Sequence, residues 1–100
     1  MKIIYTTLNN QQEAEKIGRK ILEKKLANCV NFFPITCIYN YANKISQEAE
    51  VVLLIKTQEG KFLEIEQIIK GEINYDNFIG ELEVKQVNSN FESWLQSIVK

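Results

Sequence analysis

The sequence predicts an α+β domain with a ferredoxin-like fold, in which one antiparallel sheet carries helices on one face. The first observation is segment order: strand-like and helix-like patterns follow as β-α-β-β-α-β-α, which right-handed crossovers turn into a split βαβ sandwich with the first and third strands central. The second is that these two strand-like segments are apolar on both sides, as covered central strands are. The third is size, since 100 residues that are 45% apolar bury one core, so residues 1–100 form a single domain.

The first strand and helix are predicted by a short strand-like segment and a capped amphipathic one. Lys2–Thr7 is strand-like, and Asn10 with Glu13 three residues later makes a capping-box-like start to a helix. Gly18 lies within the apolar stripe of that helix, which indicates a close approach of helix to sheet. At helical spacing the stripe comprises Ala14, Ile17, Gly18, Ile21, Leu22 and Leu26.

Two long strands follow as a hairpin. Cys29–Tyr41 contains Pro34, which predicts an edge strand or a bulge because proline cannot donate to a sheet. Tyr41–Lys44 is a turn with Asn43 suited to positive φ, and Ile45–Thr57 returns as the second strand. Each strand spans roughly 43 Å, whereas a 16-residue helix covers about 24 Å. The hairpin therefore overhangs its own domain, and we expect self-association through it and through the open sheet face.

The last three elements are shorter. Lys61–Lys70 is helical with Gly71 as its stop, and Phe78–Lys85 alternates apolar and charged residues as a half-exposed edge strand does. Ser89 with Glu92 predicts a second capping box. It starts a helix whose apolar positions are Phe91, Trp94, Leu95, Ile98 and Val99.

Composition excludes several classes of function. The chain has no histidine, so imidazole catalysis and histidine-ligated metals are excluded, and its four scattered glycines form no phosphate-binding loop. Twelve basic against 13 acidic residues argue against a nucleic-acid partner. The longest apolar run is Val51–Ile55, far short of a membrane span, and the first residues lack a signal-peptide core, so a cytoplasmic protein is expected.

The two cysteines cannot pair if one strand carries both. Cys29 and Cys37 would then lie roughly 26 Å apart, beyond the reach of a disulfide. We expect both to be small apolar residues of a reduced protein.

Two enzymatic or binding classes share the fold and are disfavoured. An acylphosphatase-like hydrolase needs an arginine in an early phosphate loop, whereas Arg19 lies mid-helix. An RNA-recognition module needs aromatic residues on its third strand, whereas Val51–Ile55 is aliphatic. We therefore expect no enzymatic activity.

The sequence resembles the CutA divalent-cation-tolerance family along essentially its whole length. The matching segments are Tyr5-Thr6-Thr7, Leu26–Asn31 with Pro34, Ile38-Tyr39, Lys44, Glu50-Val51, Leu54–Thr57, Tyr75 and Ser93–Leu95. The resemblance implies a ferredoxin-like homotrimer, similar in architecture to PII signalling proteins, whose long hairpins wrap neighbouring subunits. It also implies tolerance of copper and other divalent cations, with clefts between subunits as binding sites.

The sequence departs from the family pattern at two places. The usual histidine–proline–tyrosine segment, followed by proline–glutamate, is here Ile73–Ile79 and keeps only Tyr75. Ahead of Lys44 the usual tryptophan, glutamate and glycine are replaced by residues 41–43, Tyr-Ala-Asn. Cys29 is the one matching candidate ligand for copper or another divalent ion, and its alternative role is that of a buried strand residue.

Three sets of candidate site residues remain. Tyr39, Tyr41 and Tyr75, with Lys44 or Lys56 supplying charge, form a candidate ligand cleft, although such tyrosines also suit a subunit interface. Paired carboxylates of Glu81 and Glu83, with Asp76, suit either a hard cation or a solvated edge. The candidate oligomer interface comprises Phe33, Ile35, Ile38, Tyr39, Tyr41, Ile45 and Trp94.

The predicted function is that of a non-enzymatic CutA-like trimer that binds a metal ion or a small ligand at subunit clefts. The alternative is a PII-like sensor of a small anionic metabolite or of a protein partner. Neither nucleic acid nor membrane is expected as a partner.

Overall fold

The computed structural model describes all residues, Met1–Lys100, and confirms the predicted order of elements. Every predicted helix and strand is present, with shifts of a few residues at the ends. The elements are β1 Lys2–Leu8, α1 Gln11–Glu23, β2 Cys29–Tyr41, β3 Lys44–Thr57, α2 Phe62–Glu72, β4 Ile79–Glu83 and α3 Ser89–Ile98.

The four strands form one antiparallel sheet in the order β2-β3-β1-β4. The first and third strands are central, as their apolar faces predict, and β2 and β4 are edges. Pro34 lies opposite Val51 in an unbroken register, so the edge position alone accommodates it without a bulge. The architecture is the ferredoxin-like fold that the sequence predicts.

The main core lies between the sheet and the first two helices. Alternate residues of β1 and β3 point into it, among them Ile4, Leu53 and Ile55, all fully buried. Gly18 sits where α1 crosses the sheet, and a Cβ atom built there would lie 2.9 Å from Val30 Cγ2. The glycine therefore permits the predicted close approach of helix to sheet.

The third helix departs from the expectation that all helices share one face. Strand alternation puts Lys56 on the face opposite Ile55, and the Lys56 ammonium lies 5.2 Å from the centre of the Phe91 ring. Leu95 and Val99 are buried, yet neither belongs to the 12-residue core cluster. A terminal helix is not a crossover between strands, so nothing confines α3 to the face that α1 and α2 cover.

The helix ends confirm one predicted cap and correct three predictions. The Glu13 N–H donates to Asn10 Oδ1 at 2.9 Å, as predicted. Leu26 lies beyond α1, which ends at Glu23, although its side chain stays buried. Gly71 is not a stop, because α2 continues through it to Glu72.

The predicted capping box of the last helix is also wrong. Ser89 is already the first residue of α3, and the N-cap is Asn88, which makes no side-chain cap hydrogen bond. The Glu92 N–H instead donates to the Asn88 carbonyl oxygen, an ordinary helical bond.

The outer half of the hairpin pairs with no other strand. Pairing between β1 and β3 ends at Leu8 and Val51, so residues 35–41 and 44–50 form a two-stranded extension, here called the ribbon. Its turn carries positive φ at Ala42 (52°) and Asn43 (62°), the latter as predicted. The ribbon makes the molecule 46 Å long against 26 and 21 Å in the other directions, which confirms the overhang. No helix in the structure has the length and apolar character that crossing a bilayer requires.

Candidate functional site

A cleft of about 410 Å³ lies between the ribbon and the α2–β4 segment, residues 73–78. One wall comes from the open face of the ribbon and the other from the end of β1 and the α2–β4 segment. The lining residues are Thr7, Leu8, Asn9, Cys37, Tyr39, Tyr41, Glu48, Glu50, Tyr75, Asp76 and Asn77.

Strand alternation and two hydrogen bonds of one side chain, Asn77, bring these walls together. Cys37, Tyr39 and Tyr41 are two residues apart on β2, so they project from one face. The Asn77 amide donates to the Thr7 carbonyl at 2.8 Å and to Thr6 Oγ1 at 2.9 Å. These bonds hold the α2–β4 segment against the end of β1, where the ribbon begins.

The Tyr75 side chain is held in the cleft wall by hydrogen bonds to residues at the start of α1. Its hydroxyl donates to Glu13 Oε1 at 2.6 Å and accepts the Asn9 N–H at 3.1 Å. Desolvation, followed by the hydrogen bond to the Glu13 carboxylate, raises the pKa of Tyr75 to about 12. The phenol is therefore neutral at physiological pH and serves as a fixed wall.

The cleft carries negative charge. Glu48, Glu50 and Asp76 line it, and no lysine or arginine does. Desolvation and the nearby Glu48 carboxylate raise the pKa of Tyr39, while desolvation and Glu50 raise that of Cys37. Because three carboxylates and no basic side chain line it, the cleft favours a cation over an anion.

Only part of the predicted ligand cleft is assembled within one chain. Tyr39, Tyr41 and Tyr75 line the same cleft. Lys44 lies opposite Tyr41 at the exposed ribbon tip, outside the lining. Lys56 is twelve residues further along β3, roughly 40 Å away, next to Phe91. A single copy thus separates the tyrosines from Lys56.

The predicted metal ligand has no companions within the chain. Cys29 lies directly opposite Lys56 in the β2–β3 register, and the continuous strand keeps it eight residues from Cys37. No three Cys, Asp or Glu side chains approach closely enough to hold a metal ion. The donors of one chain therefore do not fit copper or another divalent ion, because such sites need several converging ligands.

The predicted carboxylate group is divided. Glu81 and Glu83 lie on β4, opposite Ile4 and Lys2 of β1. The Glu83 carboxylate forms an ion pair with the Lys2 ammonium, with 3.2 Å between Oε2 and Nζ. Asp76 instead lines the cleft. The sequence interpretation missed Glu48 and Glu50, although their period-two spacing on a strand facing Tyr39 is the signal that could have located them.

The predicted interface residues are mostly exposed in the isolated chain. Phe33, Ile38, Tyr41, Ile45 and Trp94 are 41–77% exposed, whereas Ile35 and Tyr39 are half-buried. Further large apolar side chains, not predicted, are exposed as well: Phe32, Leu63, Phe78 and Leu82.

A second hollow, of about 640 Å³, lies outside the α2–β4 segment. All of its lining residues lie between positions 70 and 77 of the chain. It shares three of them, at positions 75–77, with the smaller cleft, and the others are Lys70, Ile73 and Asn74. Because no second part of the chain closes it, the smaller cleft is the better candidate site.

Comparison with known proteins identifies the family of the chain. The chain matches the model of the CutA1 divalent ion tolerance protein family over residues 2–98. It is 34% identical over 98 residues to the divalent-cation tolerance protein CutA of Archaeoglobus fulgidus, covering 97% of this chain and 96% of that one. It is also 34% identical to the protein CutA homolog of Xenopus laevis, covering 95% of this chain but only 64% of that longer protein.

The fold comparison gives the same result. The solved structure of the periplasmic divalent cation tolerance protein CutA from Archaeoglobus fulgidus superposes with a TM-score of 0.94, at 33% identity and 100% coverage of both chains. A family match over nearly the whole chain and a shared fold lead to one conclusion. This chain belongs to the CutA1 divalent ion tolerance family.

Proposed function

We propose that this chain works as a non-enzymatic homotrimer in divalent-cation tolerance, with a ligand bound in clefts that neighbouring copies complete. The observation that carries the proposal is the ribbon, which extends beyond every other strand of its own sheet. An isolated two-stranded ribbon is marginally stable in water. A structure that retains one this long requires a partner surface to cover it.

The side chains of the ribbon support self-association. Ile38, Tyr41 and Ile45 are 65%, 68% and 77% exposed. Alternation places Ile38 and Ile45 on one face and Tyr41 on the other, so both faces carry exposed apolar area. A second copy of the chain is the simplest partner with matching apolar surfaces. The number of copies, three, is what the family resemblance implies.

Light scattering after size exclusion tests the assembly. We expect the wild-type protein to elute at three times the 11.6 kDa chain mass. Ile45→Asp should lower the mass to that of a monomer, because it buries a charge against the neighbouring copy. Leu63→Asp is the matched control, since Leu63 is 70% exposed on α2, away from the ribbon. A wild-type monomer at micromolar concentration would contradict the proposal.

Metal binding requires donors from more than one copy, because one chain supplies a single thiol at Cys29. We propose that Cys29 contributes to copper or divalent-ion binding where subunits meet. Titration with copper(I) tests this with Cys29→Ser and, as matched control, Cys37→Ser. Loss of binding in the first variant alone supports the proposal, and unchanged binding in Cys29→Ser removes it.

The alternative of a PII-like sensor of an anionic metabolite has less support. Its ligand would enter a cleft lined by Glu48, Glu50 and Asp76, which repel anions. Entry of both Lys44 and Lys56 from a neighbouring copy would reduce the formal charge of this lining from −3 to −1, which weakens the repulsion without reversing it. Thermal-shift assays with citrate and inorganic phosphate test it, since stabilisation by either anion would favour the sensor. The cytoplasm remains the predicted compartment, and the two thiols suit it.

A further inference from the structure

Three phenol rings from two distant parts of the sequence wall the cleft. Tyr39 and Tyr41 project from one face of β2, and Tyr75 lines the same space from the α2–β4 segment. An aromatic ring attracts a cation that lies over its face, and groups of rings recognise alkylated ammonium ions. The three rings thus provide cation-attracting surfaces that carry no formal charge themselves.

Two carboxylates of the ribbon supply the opposite charge. Glu48 lies directly across the strands from Cys37, and Glu50 lies two residues further on the same face. With Asp76 they bring the formal charge of the lining to −3, because no basic residue shares it. The field therefore draws in positively charged ligands.

A metal ion suits this lining poorly. No cluster of three Cys, Asp or Glu side chains is present, whereas Ca²⁺ takes about 6–8 oxygen ligands. Tyr39 and Tyr75 remain protonated at neutral pH, so they offer ring faces and not phenolate oxygens. A large, weakly hydrated organic cation uses ring faces where a small metal ion cannot.

One wall is rigid before any ligand arrives. Tyr75 is held by Glu13 and by the Asn9 N–H, and Asn77 is held by Thr6 and Thr7. Walls that are already ordered lose little conformational entropy on binding. The cleft volume of about 410 Å³ also lies within the range of small-molecule pockets, roughly 300–1,000 Å³.

We propose that this cleft binds an organic ammonium ion. Glu48 and Glu50 neutralise its charge, and the rings of Tyr39, Tyr41 and Tyr75 enclose its alkyl groups. This assignment names the ligand class of the proposed subunit cleft, and it rests on that cleft being a binding site. The ammonium belongs to a free small molecule or to a lysine side chain of another protein.

Isothermal titration of the assembled full-length protein tests the proposal with two probes of equal shape. Choline carries the charge, and 3,3-dimethylbutan-1-ol is its neutral counterpart. We expect the alcohol to bind about tenfold more weakly or worse, since only the cation gains from the rings and carboxylates. Nα-acetyl-lysine amide is the third probe, and tighter binding of it than of choline supports the proposal and assigns the source to a protein.

Variants locate the binding. Glu48→Gln with Glu50→Gln should weaken choline binding about tenfold or more, and Tyr41→Leu should weaken it while leaving both carboxylates. The matched control is Glu59→Gln with Glu81→Gln, which removes two exposed charges outside the cleft. Unchanged affinity is expected for that control.

Three results would overturn the assignment. They are no choline binding by correctly assembled protein, equal affinity for the neutral alcohol, or an equal loss in the Glu59/Glu81 control. Binding of zinc chloride that depends on Glu48 and Glu50, without choline binding, would replace the ammonium with a metal ion. Light scattering on the same samples separates the two proposals, because a monomeric wild type refutes the proposed assembly whatever choline does.

Discussion

Replacing Tyr75 with phenylalanine removes one hydroxyl and leaves the ring in place. That hydroxyl makes two hydrogen bonds, to the Glu13 carboxylate and from the Asn9 N–H. A bond to a charged acceptor contributes more than a neutral one, but this site is only partly buried. We therefore expect Tyr75→Phe to lower the free energy of unfolding by about 1–2 kcal/mol at pH 8, measured by guanidinium denaturation at fixed protein concentration.

The same hydroxyl predicts a dependence on pH. Its pKa is about 12 in the folded chain against an ordinary value of 10.0, so folding favours the protonated phenol. The stabilisation is complete below pH 10 and is lost as pH rises through 12. The full difference in pKa corresponds to about 2.7 kcal/mol, which solvent screening of a partly exposed group reduces to about 1 kcal/mol.

The comparison of wild type with Tyr75→Phe isolates this contribution, because every other ionisable group is present in both proteins. Wild type should lose about 1 kcal/mol more than the variant between pH 9 and pH 12. Parallel stability curves over this range would refute the reasoning, as would equal stability of the two proteins at pH 8.

Two further substitutions test the packing around the site. Gly18→Ala should destabilise the protein by about 1 kcal/mol in guanidinium denaturation, because the clash with Val30 outweighs the gain in helix propensity. Gly71→Ala is its control, has open space around it, and should stabilise by about 0.5–1 kcal/mol. A Gly18→Ala variant as stable as the wild type would contradict this prediction and would show that α1 can move away from the sheet. Thr6→Val should destabilise by about 1–2 kcal/mol and speed hydrogen exchange in residues 73–78, because the Phe78 carbonyl and the Asn77 amide each lose one of their two hydrogen bonds; unchanged exchange would contradict the anchoring role of Thr6.

The fold was predictable because each element carries its own local signal. The apolar faces of β1 and β3 predict central strands, and Pro34 predicts the edge position of β2. The helix ends were less predictable. The helix α2 continues past Gly71, and the N-cap of α3 is Asn88, one residue before the predicted Ser89. A residue type that is common at helix ends can also lie within a helix, so it does not fix the end.

The candidate site was predictable only in part. Tyr39, Tyr41 and Tyr75 were identified and share one cleft, whereas Lys44 and Lys56 lie outside it in a single chain. Glu48 and Glu50 were not predicted as site residues, because their period-two spacing places them on one strand face but does not show that Tyr75 and Asp76 lie across from that face.

The order of the elements, the length of the hairpin and the membership of the CutA1 family follow from the amino-acid sequence alone. Periodicity and strand length are local properties, so they can be read without coordinates. Which side chains meet across the cleft was decided by tertiary structure, because residues 7–9, 37–50 and 75–77 come together only when β1 ends beside the ribbon and Asn77 holds the α2–β4 segment there. The negative charge of that cleft also depends on tertiary structure, because Glu48 and Glu50 come from β3 whereas Asp76 comes from the α2–β4 segment.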